Sequence, residues 1–221
     1  MSKVYNSISQ FLNSDLISLA TEYGYSQDNI YILQGNENAL RAEYPQTYSN
    51  LQSCKHQSDT RNIMDYGKDV VSSWILEDYL AKTLSNDAFT VTLAGADSER
   101  RILPNTEVGS QDDYIIEFAD NRPSIRMELI NDHGTFWENY KKMHLRDEKY
   151  AHMRNNQSYV FALALPSKTF AIFHIDAIAS VKHIARHKPY GYKSAKELDI
   201  PHISFMACTK ENVRNAILNL R

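Results

Sequence analysis

Three carboxylates in one short stretch set the chemistry to be explained. Between Gly109 and Trp137 the chain reads GSQDDYIIEFADNRPSIRMELINDHGTFW. Asp112 and Asp113 head one apolar run, Tyr114–Phe118, and Glu128 lies near the end of the next, Ser124–Ile130. Between the runs stands Ala119-Asp120-Asn121-Arg122-Pro123, a composition that favours a turn. The enrichment in Ile, Tyr, Phe and Met on either side predicts two strands and hence a β-hairpin. Antiparallel pairing brings the head of the first strand to the end of the second, so a carboxylate from each can meet at one point. Paired carboxylates with open coordination positions suit a hard divalent cation such as Mg²⁺. The plainer reading is a surface hairpin with acidic ends.

An Asp at the head of a hairpin, followed by Glu-x-Lys on an apolar strand, resembles the signature of the PD-(D/E)XK nuclease superfamily, which includes most type II restriction endonucleases. Here the match falls on Asp113 and on Glu128-Leu129-Ile130 within Met127-Glu128-Leu129-Ile130-Asn131-Asp132. It departs from the pattern twice: Ile130 stands where the family usually has Lys, and no Pro precedes the acid in Gln111-Asp112-Asp113. The resemblance spans residues 63–176. It implies that Asp113 and Glu128 hold Mg²⁺, with Mn²⁺ able to substitute, that the Leu129 carbonyl adds an oxygen ligand, and that Asp112 is the alternate first ligand. It also implies a double-stranded DNA substrate, and a homodimer, because cutting both strands takes two sites.

The missing Lys matters because a cation beside the attacking water orients it and offsets charge developing on the phosphate. Side chains alternate along a strand, so Ile130 shares a face with Glu128 and puts an apolar group at that place. Lys142 or Lys149, on a basic helix read from Phe136 to Arg154 with Thr135 as its cap, can replace the cation, and Asn131 is a further polar candidate. Otherwise the position is inactivated, and the chain is a nuclease-fold protein that binds DNA or protein without cutting. A third option is an unrelated α/β interaction protein.

Glu77 loosely matches the family's practice of offering a Glu toward the metal from the helix before the hairpin; the bland reading is a solvated or capping Glu. Arg100 and Arg101, in the polar segment from Gly95 to Gly109, are candidates for phosphate because Arg forks match its oxygens, or else are solvated charges. The most basic segment, KHIARHKPYGYKSAK from Lys182 to Lys196, interleaves Tyr190 and Tyr192 with Lys188 and Lys193. Cations meet phosphates and rings stack on bases, so it reads as a DNA-contacting loop or as a solvated one.

The whole chain of 221 residues carries a net charge of −3, with 43% hydrophobic and 23% charged residues, ordinary for a soluble globular protein. Charge is unevenly spread: residues 1–134 hold 10 Lys and Arg against 20 Asp and Glu, whereas residues 135–221 hold 14 against 7. Either the second part meets a polyanion or the two parts attract each other. The two cysteines, Cys54 and Cys208, form no metal or disulfide spacing and read as reduced thiols. There is no signal-like segment and no apolar run near the roughly 18 residues that span a bilayer, so a cytoplasmic protein with no membrane partner is expected. A Gly-rich phosphate loop, a GxSxG elbow and a zinc motif are all absent from the sequence.

The elements that must position these groups read as follows. Residues 7–23 are helical, with Ser7 as cap and Gly24 as stop; 28–33 are strand or buried turn; 36–53 are helical, interrupted by Pro45. The soft boundary at 54–62 leaves residues 1–62 as a helical accessory region and 63–221 as a nuclease-like core. Residues 65–84 give the clearest helix, and Phe89–Ala94 a strand. After the hairpin and the basic helix come strands at Ser158–Leu165 and Thr169–Ile175, apolar enough to lie centrally in a sheet. His174 reads as a packed or edge side chain. A strand at Pro201–Ala207 and a helix capped by Thr209 and ending near Leu220 close the chain. The order implies an α/β (α+β) fold, a mixed sheet flanked by helices with an N-terminal helical part, and it fits the restriction-endonuclease-like layout.

Overall fold

The computed structural model describes residues 8–57, 59–95, 97–107, 109, 111–178, 181–187, 193–200 and 204–220. The expected Ser7 cap, Lys188, Tyr190 and Tyr192 lie outside them. The N-terminal helices are α1 (Ile8–Leu12), α2 (Leu16–Glu22), α3 (Gln27–Gln34), α4 (Glu37–Glu43) and α5 (Pro45–Cys54). The single helix expected over 7–23 is two, because Asp15 accepts a hydrogen bond from Ile17 N–H and starts a new helix. Gly24, at φ 79°, follows its end as anticipated. Pro45 sits in the first turn of α5, where its missing N–H costs nothing. Residues 28–33 are helical and not a strand: Gly35 in the left-handed region closes α3.

Helix α6 (Ile63–Leu84) buries Val71, Trp74, Ile75, Leu80 and Leu84 on its apolar face, and the Asn62 side chain accepts from Asp65 N–H at its start. Strands β1 (Phe89–Leu93), β2 (Tyr114–Phe118) and β3 (Ile125–Asp132) follow as an antiparallel set. Asn121 turns the β2–β3 hairpin at φ 61°, a conformation Asn tolerates. Next come α7 (Phe136–Tyr140), β4 (Lys142–Arg146) and α8 (Asp147–Asn156). The unbroken helix expected over 136–154 is therefore wrong. Lys142-Met143-His144-Leu145-Arg146 alternates, burying Met143 and Leu145, and that two-residue period suits a strand.

The pair β5 (Tyr159–Ala164) and β6 (Thr169–His174) is the second hairpin. The segment read as a basic loop is instead largely a hairpin, β7 (Val181–His187) with β8 (Lys193–Asp199). Its strandedness was hidden because β7 exposes nearly every side chain. The expected 201–207 strand is only β9 (Met206–Ala207) among the described residues, and α9 (Lys210–Leu218) is capped by Thr209 as anticipated.

A six-stranded mixed sheet has the order β1-β2-β3-β5-β6-β9, and a three-stranded sheet the order β4-β8-β7. Strand β5 runs parallel to β3 and antiparallel to β6. It is buried on both faces, which explains its unbroken apolar sequence. One core lies between the large sheet and the helices: Met127, Leu129, Phe161 and Leu163 meet Val71 and Ile75 of α6, Leu19 of α2 and Ile32 of α3. The other face packs Val160, Ala162 and Ala164 on Met143, Met153 and Leu198, with Ile130 at its margin. Both cysteines are free thiols. No helix among the described residues is long and apolar enough to cross a membrane.

Candidate active site

Hairpin register creates the site. Strands β2 and β3 pair only from Tyr114↔Met127 to Ile116↔Ile125, so β3 runs on past its partner from Glu128 to Asp132. Asp113 stands where β2 would have continued, and its Oδ2 accepts a hydrogen bond from Leu129 N–H at 2.8 Å. The N–H and C=O of a strand residue point to the same edge, so the Leu129 carbonyl also faces the gap. Alternation then sends Met127 and Leu129 to the α6 side and Glu128 and Ile130 to the α8 side.

A cavity of about 330 Å³ fills the gap, lined by Ser73 and Glu77 of α6, Asp113, Glu128 to Asn131 of β3, His144 to Arg146 of β4, and Lys149 of α8. Lys149 Nζ lies 2.7 Å from Glu128 Oε2 and donates to the Gln111 carbonyl at 2.7 Å. The Lys149 ammonium thus pairs closely with the buried Glu128 carboxylate. Glu77 is held from behind: Arg100 Nη1 bonds Glu77 Oε2 at 2.8 Å and its Nε bonds Asp78 Oδ2 at 3.0 Å.

The carboxylates of this cavity hold their protons tightly, chiefly because they are buried. Burial, then the charge of Asp113, raises Glu77 to about 8. Burial raises Asp113 to about 6 despite the opposing charge of Lys149. Burial and Asp113 push Glu128 well above its ordinary value. Burial works against the Lys149 ammonium, but Glu128 and Asp113 outweigh it and its pKa is raised. Buried acids that repel one another are stabilised by a cation placed between them. The donor set, two carboxylates and one backbone carbonyl, is all oxygen and fits Mg²⁺ or Mn²⁺ better than a soft metal. Among the described residues no cluster of three or more His, Cys, Asp or Glu is arranged for ligation, so any ion here would depend on water or substrate oxygens as well.

The anticipated residues separate into three groups. Asp113, Glu128, Leu129, Ile130, Asn131 and Glu77 line one cavity. Asp112 does not: it is fully buried, with His152 Nε2 3.3 Å from its Oδ2. Lys142 is a correction. It lies on β4 and binds Glu197 Oε1 at 2.5 Å and Asp199 at 3.6 Å, because the break between α7 and α8 removes it from the helix that carries Lys149. Arg100 is the second correction: at 8% exposure it is a buried partner of Glu77 and Asp78, and no phosphate can reach it as a surface charge. Arg101 is exposed and pairs loosely with Glu99 at 3.6 Å. Lys182 and Lys193 are exposed on β7 and β8. His174 is a packed edge residue against Tyr159, as expected.

Sequence reading missed His144 and Arg146. The signal was available in the polar positions of the alternating β4 segment. Compared with known proteins, the chain matches no family model and no curated protein.

Proposed function

We propose that the chain is a Mg²⁺-dependent deoxyribonuclease of the PD-(D/E)XK type, hydrolysing phosphodiester bonds of double-stranded DNA as type II restriction enzymes do. One observation carries the reading: Asp113, Glu128 and Lys149, from three separate elements, meet around the gap where β3 outruns β2. Asp113 and Glu128 would hold the ion, with the Leu129 carbonyl. The bound ion would polarise the phosphate and lower the pKa of an attacking water. Lys149 takes the role of the Lys that Ile130 displaces: its ammonium orients the water and offsets charge that develops on the phosphate oxygens. Arg100 fixes Glu77 at the rear wall, so that carboxylate does not swing into the phosphate site. Cutting both strands calls for a second copy of the site, and a homodimer supplies it.

The rival reading, a nuclease fold that binds DNA or protein without cutting, rests on Ile130. The 2.7 Å approach of Lys149 to Glu128 favours the active reading, since a cation stands at the cavity without any help from position 130. The test is incubation of plasmid and genomic DNA with the protein in Mg²⁺, in Mn²⁺ and in chelator. Metal-dependent cleavage, lost in Asp113→Ala, is expected. DNA retardation without cleavage would leave the inactive reading, and neither retardation nor cleavage would end both.

A further inference from the structure

Lys149 stands where two open spaces meet. It lines the small cavity and also a cleft of about 1360 Å³ beside it, and Asp113 and Arg146 are the other residues common to both. Its side chain is only 14% exposed, so the ammonium depends on the protein for its partners. Those partners are Glu128 Oε2 and the Gln111 carbonyl, each at 2.7 Å, and the charge of Asp113 also favours the ammonium. Lys142, in the three-stranded sheet, differs: it is 39% exposed and is held by Glu197 and Asp199, neither of which lines the cavity.

Glu128 is also one of the two carboxylates that would hold a divalent ion. An ion on the same oxygen, at a bond length of about 2.1 Å, would stand within about 5 Å of the ammonium. Like charges that close repel strongly in a buried cavity, which water and salt screen poorly. Ammonium and ion therefore compete for Glu128. Lys149 has a second place to go. From the junction its flexible four-carbon stem can turn the ammonium into the cleft. There the phosphate of a bound nucleic acid would replace the carboxylate given up.

We propose that Lys149 is an exchangeable counter-ion: it closes the ion site by pairing with Glu128, and it passes to a phosphate in the cleft when a divalent ion takes its place. The inference rests on the nuclease reading and adds to it a threshold for ion binding, so that the ion and an anionic substrate favour each other's entry. One residue then has two effects of opposite sign. It weakens ion binding and speeds the step that follows.

The experiment measures equilibrium Mn²⁺ binding at pH 8 and single-turnover DNA cleavage. The proteins are the unaltered chain, Lys142→Gln, and Lys149→Gln, whose amide can still donate to the Gln111 carbonyl. Lys149→Gln is expected to bind Mn²⁺ about tenfold to a hundredfold tighter and yet to cleave more slowly. Lys142→Gln is expected to match the unaltered chain in Mn²⁺ affinity to within about twofold. A residue that only holds the fold together would weaken both measurements. A second measurement needs no variant: limited acetylation of the unaltered chain, followed lysine by lysine by mass spectrometry. Mg²⁺ is expected to quicken modification of Lys149 over its rate in chelator and to leave the exposed Lys168 unchanged. Mn²⁺ bound no more tightly by Lys149→Gln, or Lys149 modification that ignores Mg²⁺, would overturn the inference while Mn²⁺ binding and cleavage by the unaltered chain left the nuclease reading standing. No Mn²⁺ binding by either protein would overturn the two together.

Discussion

Two clusters of acids and bases face each other across β4, and they are balanced in opposite ways. In the three-stranded sheet, Glu197 binds Lys142 at 2.5 Å and His144 at 3.2 Å, and those bonds hold its carboxyl below the usual range. His187 in turn meets His144 at 3.0 Å. In the cavity, Asp113, Glu128 and Glu77 are all raised, with burial the leading cause in each. In the first cluster the carboxylate is paired with its own neighbours, Lys142 and His144. The second keeps buried carboxylates whose repulsion and desolvation are relieved by protonation, or by a cation were one to bind.

The largest expected effect is on the unbalanced cluster. Asp113→Ala should lower metal-dependent DNA cleavage by roughly a thousandfold or more, because it removes a ligand and the acceptor that fixes Leu129. Lys149→Ala should cost about a hundredfold to a thousandfold in single-turnover rate. Adding Ile130→Lys to that variant should restore part of the loss, since position 130 lines the same cavity. Equal cleavage by Lys149→Ala and the unaltered chain would mean that the ion pair is structural.

Next in size is Arg100→Met. It strands Glu77 and Asp78 without their buried guanidinium and should destabilise the fold by about 3–5 kcal/mol, read by denaturant unfolding in chelator. Mg²⁺ should recover some of that stability if Glu77 borders an ion site.

The pH dependence distinguishes the clusters further. Glu77 and Asp113 hold their protons more tightly folded than unfolded. Their protonated forms therefore favour the folded state at low pH, and that contribution is lost as pH rises from about 4 through about 6 for Asp113 and about 8 for Glu77. In chelator the thermal midpoint should fall between pH 5 and pH 8, and Mg²⁺ should raise it more at pH 8 than at pH 5. Glu197, with its lowered pKa, has the opposite sign: its contribution is present above the unfolded value near 4.5 and fades only in acid. Glu197→Gln is the smallest effect, roughly 1 kcal/mol or about 2–4 °C in midpoint, with cleavage retained.

The same contrast explains what could be read from the sequence. The hairpin and its acids were legible because Tyr114–Phe118 keeps a clean strand pattern and Asp120-Asn121-Arg122-Pro123 forces a turn. Helix α6 was legible from its helical period, and the strands β5 and β6 from short apolar runs on either side of a turn. The three-stranded sheet was not. Its outer strand β7 is exposed almost throughout, and basic residues on an exposed edge look like a loop. That miss carried the error over Lys142, since an unbroken helix would have set it two turns from Lys149 on one face. Arg100 was misread because a positive-φ residue in a polar segment gives no local sign that it folds back onto Glu77 and Asp78. Such pairings, between positions 22 and 23 apart in sequence, are set by tertiary packing.

Equilibrium Mn²⁺ binding, followed by the paramagnetic signal of the free ion, tests the difference between the clusters most directly. The unaltered protein and Glu197→Gln should each bind Mn²⁺ in the absence of DNA, and Asp113→Ala should lose that binding. Binding that survives in Asp113→Ala, or no binding by the unaltered protein at pH 8, would contradict the assignment of the β2–β3 gap as a metal site.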